Sequence, residues 1–256
     1  MIPFIDIHAI NARFEKSFKN QFQDFLDSGY YVLGNQVSAF ESRFADYCET
    51  QYCIGVGNGL DALRLILEGY KVLDRLKPGD EVIVASNTYI ATIIAIKQAG
   101  LKPVLVEVEN QTFNFDISAL KQAISPSTKA IMPVHLYGQI APMEAIYSIS
   151  NSHDLLIIED AAQGMGAYYN KLHAGSYSDA AAFSTHATSA AVLTEAGAGA
   201  PAAAAAEVGG MWYSSADMVP ITDAEIDRIM YGLDHISRLG VAEAFRHAVP
   251  YRKFKQ

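Results

Sequence analysis

The sequence of 256 residues predicts an α/β fold in which a mainly parallel central sheet is covered by helices on both faces. Short apolar runs of strand length alternate with segments of helical periodicity through residues 53–184. Strands separated by helices require crossover connections, which make neighbouring strands parallel. The run Leu-Leu-Ile-Ile at residues 155–158 is apolar throughout, as expected for a strand that is buried on both faces.

Two amphipathic helices are predicted near the start of the chain, one at residues 13–26 and one that follows Gly34. Each carries large apolar residues at helical spacing. The first stripe is Phe14, Phe18, Phe22, Phe25 and Leu26, and the second is Val37, Phe40, Phe44 and Tyr47. The four phenylalanines of the first stripe exceed what one sheet face needs as cover, so they predict contact with a second subunit.

Strands and helices then alternate along the chain. The predicted strands are residues 53–56, 81–85, 104–108, 130–134, 155–158 and 180–184. The predicted helices between them are residues 61–68, 91–99, 117–123 and 143–150. Lys171 falls in a predicted hairpin before the last strand.

The alternation ends at residues 186–206, where 11 of 21 residues are alanine. Alanine cannot build a core by itself, and glycine and proline interrupt any long helix there. Thr222 and Glu225 form a capping-box pattern that predicts a helix at residues 222–238. We therefore divide the sequence into a large domain at residues 1–190, a low-complexity or unassigned linker at residues 191–216, and a C-terminal helical remnant at residues 217–256.

Composition and charge exclude several classes of protein. A net charge of −9 argues against a nucleic-acid partner or an anionic membrane surface. Cys48 and Cys53 lie five residues apart without a CxxC pattern, so neither a zinc site nor a disulfide framework is expected. We therefore expect no metal site. Because no signal-peptide pattern and no apolar run of membrane-spanning length is present, we expect a cytoplasmic protein.

Groups suited to ligand binding follow several of the predicted strands, and ligands of open parallel sheets sit at that edge. A glycine-rich turn at residues 55–59 leads into a helix, whose N-terminal amides suit a phosphate. Tyr89 could stack on a flat ring, and Ser184 could donate to a phosphate. Asp160 could hold a protonated heterocyclic nitrogen, as the electron sink of pyridoxal phosphate (PLP) requires. Structural alternatives are a core position for Tyr89 and a solvated acidic strand end for Asp160. All of these groups, however, are predicted to lie at one edge of the sheet.

Together these motifs resemble the DegT/DnrJ/EryC1/StrS family of PLP-dependent sugar-nucleotide aminotransferases, which have the fold-type-I architecture of aspartate aminotransferase. The resemblance spans roughly the first 190 residues and implies that most of the small C-terminal domain is missing. It also implies transfer of an amino group from glutamate to a nucleoside-diphosphate-linked keto-deoxysugar by a homodimer. The motifs that carry it include Gly57-Asn-Gly-Leu-Asp-Ala-Leu63, Asn87-Thr-Tyr-Ile-Ala-Thr92, Val134-His-Leu-Tyr-Gly-Gln139, Glu159-Asp-Ala-Ala-Gln163 and Ala182-Phe-Ser184.

The resemblance also implies the cofactor contacts, position by position. Tyr89 would stack on the pyridine ring, Asp160 would pair with the ring nitrogen, and Gln163 would bond near the ring hydroxyl. The phosphate would be held by the backbone of Gly59, Leu60 and Asp61 and by the hydroxyl of Ser184.

Ser189 stands where the family carries the lysine that links covalently to PLP. Three explanations are open: a truncated or engineered family member, a sequence in which one stretch is written mainly as alanine, or a natural variant. The residue cannot replace an amine, because a hydroxyl offers no nitrogen. Besides the aminotransferase, we therefore keep two hypotheses: a catalytically dead PLP-fold module for binding or dimerisation, and a lysine-free PLP-dependent sugar dehydratase.

Overall fold

A five-stranded parallel sheet forms the centre of the protein, whose structure is a computed structural model that describes residues 6–184. Across the sheet the strands lie in the order Lys102–Val106 (β2), Glu81–Ala85 (β1), Thr128–Met132 (β3), Leu156–Asp160 (β4) and Ala180–Ala182 (β7), and every strand pair is parallel. The predicted fold class is confirmed. The strands along the chain are β1 (Glu81–Ala85), β2 (Lys102–Val106), β3 (Thr128–Met132), β4 (Leu156–Asp160), β5 (Tyr168–Tyr169), β6 (Leu172–His173) and β7 (Ala180–Ala182).

Helices cover both faces of this sheet, because successive side chains of a buried strand point to opposite sides. Val82 and Val84 of β1 face α4 (Gly59–Val72) and α5 (Ile90–Gln98), whereas Ile83 faces α6 (Ile117–Gln122) and α7 (Met143–His153). Both faces are apolar, so the sheet contributes to two separate cores. The helices are α1 (Ile7–Ala12), α2 (Glu15–Ser28), α3 (Asn35–Tyr47), α4 (Gly59–Val72), α5 (Ile90–Gln98), α6 (Ile117–Gln122) and α7 (Met143–His153). No helix within residues 6–184 is both long and apolar enough to cross a bilayer.

The strand predicted at residues 53–56 is wrong: this segment has no regular secondary structure. The amide of Gly55 donates to Oε1 of Glu41 at 2.7 Å rather than to a neighbouring strand. Ile54 and Val56 are 44% and 40% exposed, so the apolar run is not buried between two faces. A strand forms only where a neighbour pairs with it, and nothing in the described part of the chain pairs with these residues.

The other predicted strands form: β1 has the predicted bounds, and the remaining four have shifted ends. Strand β2 ends at Val106 because Val108 makes only an isolated antiparallel bridge with Phe115. Strand β4 extends to Asp160 because β7 pairs with its last three residues. The predicted hairpin is confirmed by the antiparallel pair β5–β6. The alanine-rich stretch, the helix at residues 222–238 and the division of the chain beyond residue 184 lie outside the described residues.

The carboxylate of Glu159 ties the end of β4 to the loops around it. Its side chain is fully buried and accepts hydrogen bonds from four donors on two other segments. Nε2 of His135 lies 2.5 Å from Oε2, and because Nδ1 of His135 accepts the amide of Ala141, the ring proton belongs on Nε2. The other donors are the amides of Gly175 and Tyr177, at 2.8 and 2.9 Å, and the hydroxyl of Ser178, at 2.6 Å.

We expect Glu159→Gln to lower the free energy of unfolding by roughly 3–5 kcal/mol, as removal of one partner from a buried charged network does. The new amide group would place a donor against donors, because every neighbour of this carboxylate donates to it. Chemical denaturation followed by circular dichroism would measure the loss.

Glu144→Gln is the matched control, because Glu144 accepts from Asn170 in an exposed contact that an amide oxygen can also make. That variant should be as stable as the unmodified protein. Equal stability of both variants would contradict the role assigned to Glu159.

Candidate active site

One edge of the sheet brings together site residues predicted from distant parts of the sequence. Asp160 ends β4 there, and Tyr89 follows β1 as the N-cap of α5. Ser184 follows β7 and lies against Gly59 at the start of α4. A β-carbon on Gly59 would lie 2.9 Å from Cβ of Ser184, so only glycine lets the two segments approach this closely.

Asp160 is buried, with 5% of its surface exposed, at the carboxyl end of β4. The hydroxyl of Thr92 donates to Oδ2 at 2.7 Å, and the amide of Ala162 donates to Oδ1 at 3.2 Å. Burial raises the pKa of Asp160, and these two hydrogen bonds oppose the rise. Within residues 6–184 no cation lies at ion-pair distance from it. A buried carboxylate with only neutral donors favours a cationic ligand, and a protonated ring nitrogen carries that charge.

The start of α4 offers backbone amides to an anion. The side chain of the N-cap Asn58 accepts from the amide of Asp61 at 2.9 Å, so this predicted phosphate contact is already engaged in the structure. The amides of Gly59 and Leu60 precede it in the first turn, where the positive end of the helix dipole favours negative charge. With Ser184 beside them, these two amides could donate to a phosphate, and the same role for the amide of Asp61 stays a prediction.

Gln163 fastens the turn that follows β3. Its Oε1 accepts from the amide of Tyr137 at 2.7 Å, so Nε2 remains as the donor that could reach a ligand. Tyr137 adopts a left-handed backbone conformation, with φ of 57°, and the residue is exposed. A donor at this position suits the hydroxyl of a pyridine ring, the role that the family resemblance implies for Gln163.

Tyr89 is 69% exposed, which excludes the alternative of a core tyrosine. Its carbonyl accepts from the amide of Thr92, so both residues belong to the first turn of α5. An aromatic ring at this place can cover one face of a flat ligand whose edge meets Asp160.

Among the described residues, no group of His, Cys, Asp and Glu side chains is arranged to hold a metal ion.

Two residues at this edge have contacts that sequence analysis missed. Thr92 closes the motif at residues 87–92, but its bond to Asp160 joins residues 68 positions apart. Glu159 stood beside Asp160 as a second acidic strand end, with no sign that its carboxylate is saturated by donors. That the two carboxylates face opposite sides of the sheet could have been predicted from the sequence, since neighbouring residues of a strand point to opposite faces. Ser189 lies outside the described residues.

Comparison with known proteins identifies the family of this chain. The profile of the DegT/DnrJ/EryC1/StrS aminotransferase family matches residues 13–200. The chain is 50% identical over 184 residues to the dTDP-3-amino-3,6-dideoxy-alpha-D-galactopyranose transaminase of Aneurinibacillus thermoaerophilus, covering 72% of this chain and 50% of that protein. It is 43% identical over 183 residues to the dTDP-3-amino-3,4,6-trideoxy-alpha-D-glucose transaminase of Streptomyces venezuelae, covering 72% and 47%.

A solved structure shows the same architecture. The crystal structure of DesV from S. venezuelae, in complex with a ketimine intermediate, superposes with a TM-score of 0.68 at 41% sequence identity, over 72% of this chain and 49% of that one. The chain thus spans about half the length of the relatives that it matches. Since the matched profile extends over most of its residues, the chain belongs to the DegT/DnrJ/EryC1/StrS aminotransferase family.

Proposed function

We propose that this chain is the PLP-binding part of an aminotransferase that moves an amino group from glutamate to a nucleoside-diphosphate-linked keto-deoxysugar. The observation that carries the proposal is Asp160, a buried carboxylate with two neutral donors at the ligand edge of a parallel sheet. The two transaminases compared above act on dTDP-linked amino sugars by name, which supports the substrate class.

The residues present fit the cofactor. Asp160 would hold the protonated ring nitrogen, and Tyr89 would cover the ring face. The phosphate would meet the helix dipole and amides at the start of α4 together with Ser184. Nε2 of Gln163 would donate towards the ring hydroxyl. When bound, PLP supplies the electron sink that stabilises negative charge developing on the amino-donor carbon.

A second candidate, a PLP-fold module that binds without catalysing, is favoured by Ser189. A lysine at this position would hold the cofactor covalently and carry a proton during amino transfer. A serine supplies neither an amine nor a base of suitable strength. For the sequence as written, we therefore expect cofactor binding without efficient transamination.

Asp160→Asn should weaken PLP binding at least roughly tenfold, because the amide keeps the shape of the side chain but loses the charge opposite the ring nitrogen. Titration of the protein with PLP, followed by visible absorption, would measure the affinity. Asp154→Asn makes the same change at an exposed position with left-handed backbone, which asparagine tolerates, and should leave the affinity unchanged. Unaltered PLP affinity in Asp160→Asn would sink the proposed site.

Borohydride should not attach PLP to residue 189 of the unmodified protein, because reduction needs a carbon–nitrogen double bond. Ser189→Lys should restore the attachment, and mass spectrometry of the peptide that contains residue 189 would detect it. Ser189→Gln, which has similar length but no amine, is the control. Covalent PLP at position 189 without the substitution would overturn the assignment of this position.

We also propose that the protein is a homodimer. None of the residues of α2 is buried, although the helix carries Phe22 and Leu26, which are 59% and 43% exposed. Tyr30 and Leu33, in the loop that follows, are 74% and 57% exposed. Such a contiguous apolar surface is typical of an interface, and a second copy of the chain is the partner that the predicted stripe favours.

Phe22→Asp should shift the protein towards monomer, because a charge placed in an apolar interface must be desolvated. Sedimentation at micromolar concentration would measure the shift. Asn20→Asp introduces the same residue on the opposite side of α2 and should leave the dimer intact. A monomeric unmodified protein would contradict the proposed assembly.

A further inference from the structure

A chain of two hydroxyl groups ends on Asp160. The hydroxyl of Thr92 lies 2.7 Å from Oδ2 of Asp160, and the hydroxyl of Thr88 lies 2.7 Å from that of Thr92. Thr92 is fully buried, and Thr88 is half-buried in the loop between β1 and α5. Both distances are typical of well-formed O–H···O hydrogen bonds.

When Asp160 is ionised, its charge sets the direction of these bonds. An ionised carboxylate only accepts, so the single hydroxyl proton of Thr92 points to Asp160. The oxygen of Thr92 then accepts from Thr88, and the second bond strengthens the first by polarising it. The chain therefore stabilises the ionised form of Asp160, which burial alone disfavours.

The bond from Thr92 is not a by-product of local helix geometry. A threonine in a helix commonly turns its hydroxyl back to the carbonyl three or four residues earlier. Thr92 instead reaches across to β4, and packing alone could be met by valine, which has nearly the same shape. The hydroxyl therefore serves the contact with Asp160, and it ties the turn that carries Tyr89 to the same carboxylate.

We infer that Thr92, supported by Thr88, is a positioning residue that holds Asp160 ionised and oriented towards a cationic ring nitrogen. The identity of that cation rests on the proposed PLP function, whereas the effect on the carboxylate does not. The titratable side chains next to Asp160 in the described part of the chain are His135 and Glu159. His135 is paired with Glu159, and it lowers the pKa of Asp160 less than the hydrogen bond from Thr92 does, so the hydroxyl chain is the main support of the charge.

The first test uses the ligand-free protein. Carbon-13 NMR of aspartate side-chain carboxyls would follow the ionisation of Asp160, assigned with Asp160→Asn. Thr92→Val should raise its pKa further, so that Asp160 loses its charge at a higher pH as the pH falls. Thr88→Val should cause a smaller rise in the same direction, and Thr92→Ser, which keeps the hydroxyl, should stay close to the unmodified protein. Because Thr88 is only half-buried, its variant tests the chain even if Thr92→Val fails to fold.

The second test adds PLP labelled with nitrogen-15 in the ring. We expect Thr92→Val to weaken binding about tenfold and to move the ring-nitrogen resonance towards the unprotonated position. Thr92→Ser should stay within about twofold of the unmodified protein, since it retains the donor. As the pH is lowered, Thr92→Val should also lose affinity for PLP at a higher pH than the unmodified protein does, because the carboxylate of Asp160 becomes protonated at a higher pH in this variant.

The outcomes separate the inference from the proposed function. If the carboxyl titration moves in Thr92→Val but no form of the protein binds PLP, the proposed function fails and the role of Thr92 towards Asp160 stands. If PLP binds and neither Thr92→Val nor Thr88→Val changes the titration or the ring-nitrogen resonance, the inference is overturned. Rescue by Thr92→Ser supports the hydroxyl rather than packing as the cause.

Discussion

The saturated carboxylate of Glu159 is the interaction on which the ligand edge depends. A fully buried charge is tolerated only when donors surround it, and here they come from the loop after β3 and from the segment between β6 and β7. Because both segments are held by one side chain, they stay in register with the end of β4. The chain that follows β7 then places Ser184 against the start of α4.

The two neighbouring carboxylates at this strand end differ in how completely the protein satisfies them with hydrogen bonds. Glu159 faces the side where four donors meet it, and Asp160 faces the side of α4 and α5, where two neutral donors meet it. The first carboxylate is satisfied by the protein itself and serves the fold. The second retains a raised pKa and capacity for a further partner, which is the condition expected of a ligand-binding group.

The site consists of groups at the ends of regular elements rather than of long loops. Tyr89 and Thr92 share the first turn of α5, and Gly59 and Leu60 share the first turn of α4. Since α4 and α5 pack on the same face of the sheet, their N-termini have a defined separation. The geometry for a flat, phosphorylated ligand is therefore set by the core before any ligand arrives, which lowers the entropic cost of binding.

Periodicity and composition were sufficient for most of the fold. Apolar runs at residues 81–85 and 155–158 are long enough, and apolar enough, to be strands in any compact arrangement. Residues 53–56 show where local pattern stops being sufficient. Their sequence suits a strand, yet strand formation depends on a neighbouring strand that supplies hydrogen bonds. The amide of Gly55 instead donates to the side chain of Glu41.

By itself the sequence determined most of the elements that form, that the sheet is parallel, and that Tyr89, Asp160 and Ser184 lie at one edge. These features follow from periodicity and from chain connectivity, both of which are local or topological properties. Only the tertiary structure decided that Glu159 is saturated, that Asp160 accepts only from neutral donors, and that Thr92 is one of them. Hydrogen bonds between residues far apart in sequence depend on the angle at which strands and helices pack, and no pattern along the chain encodes that angle directly.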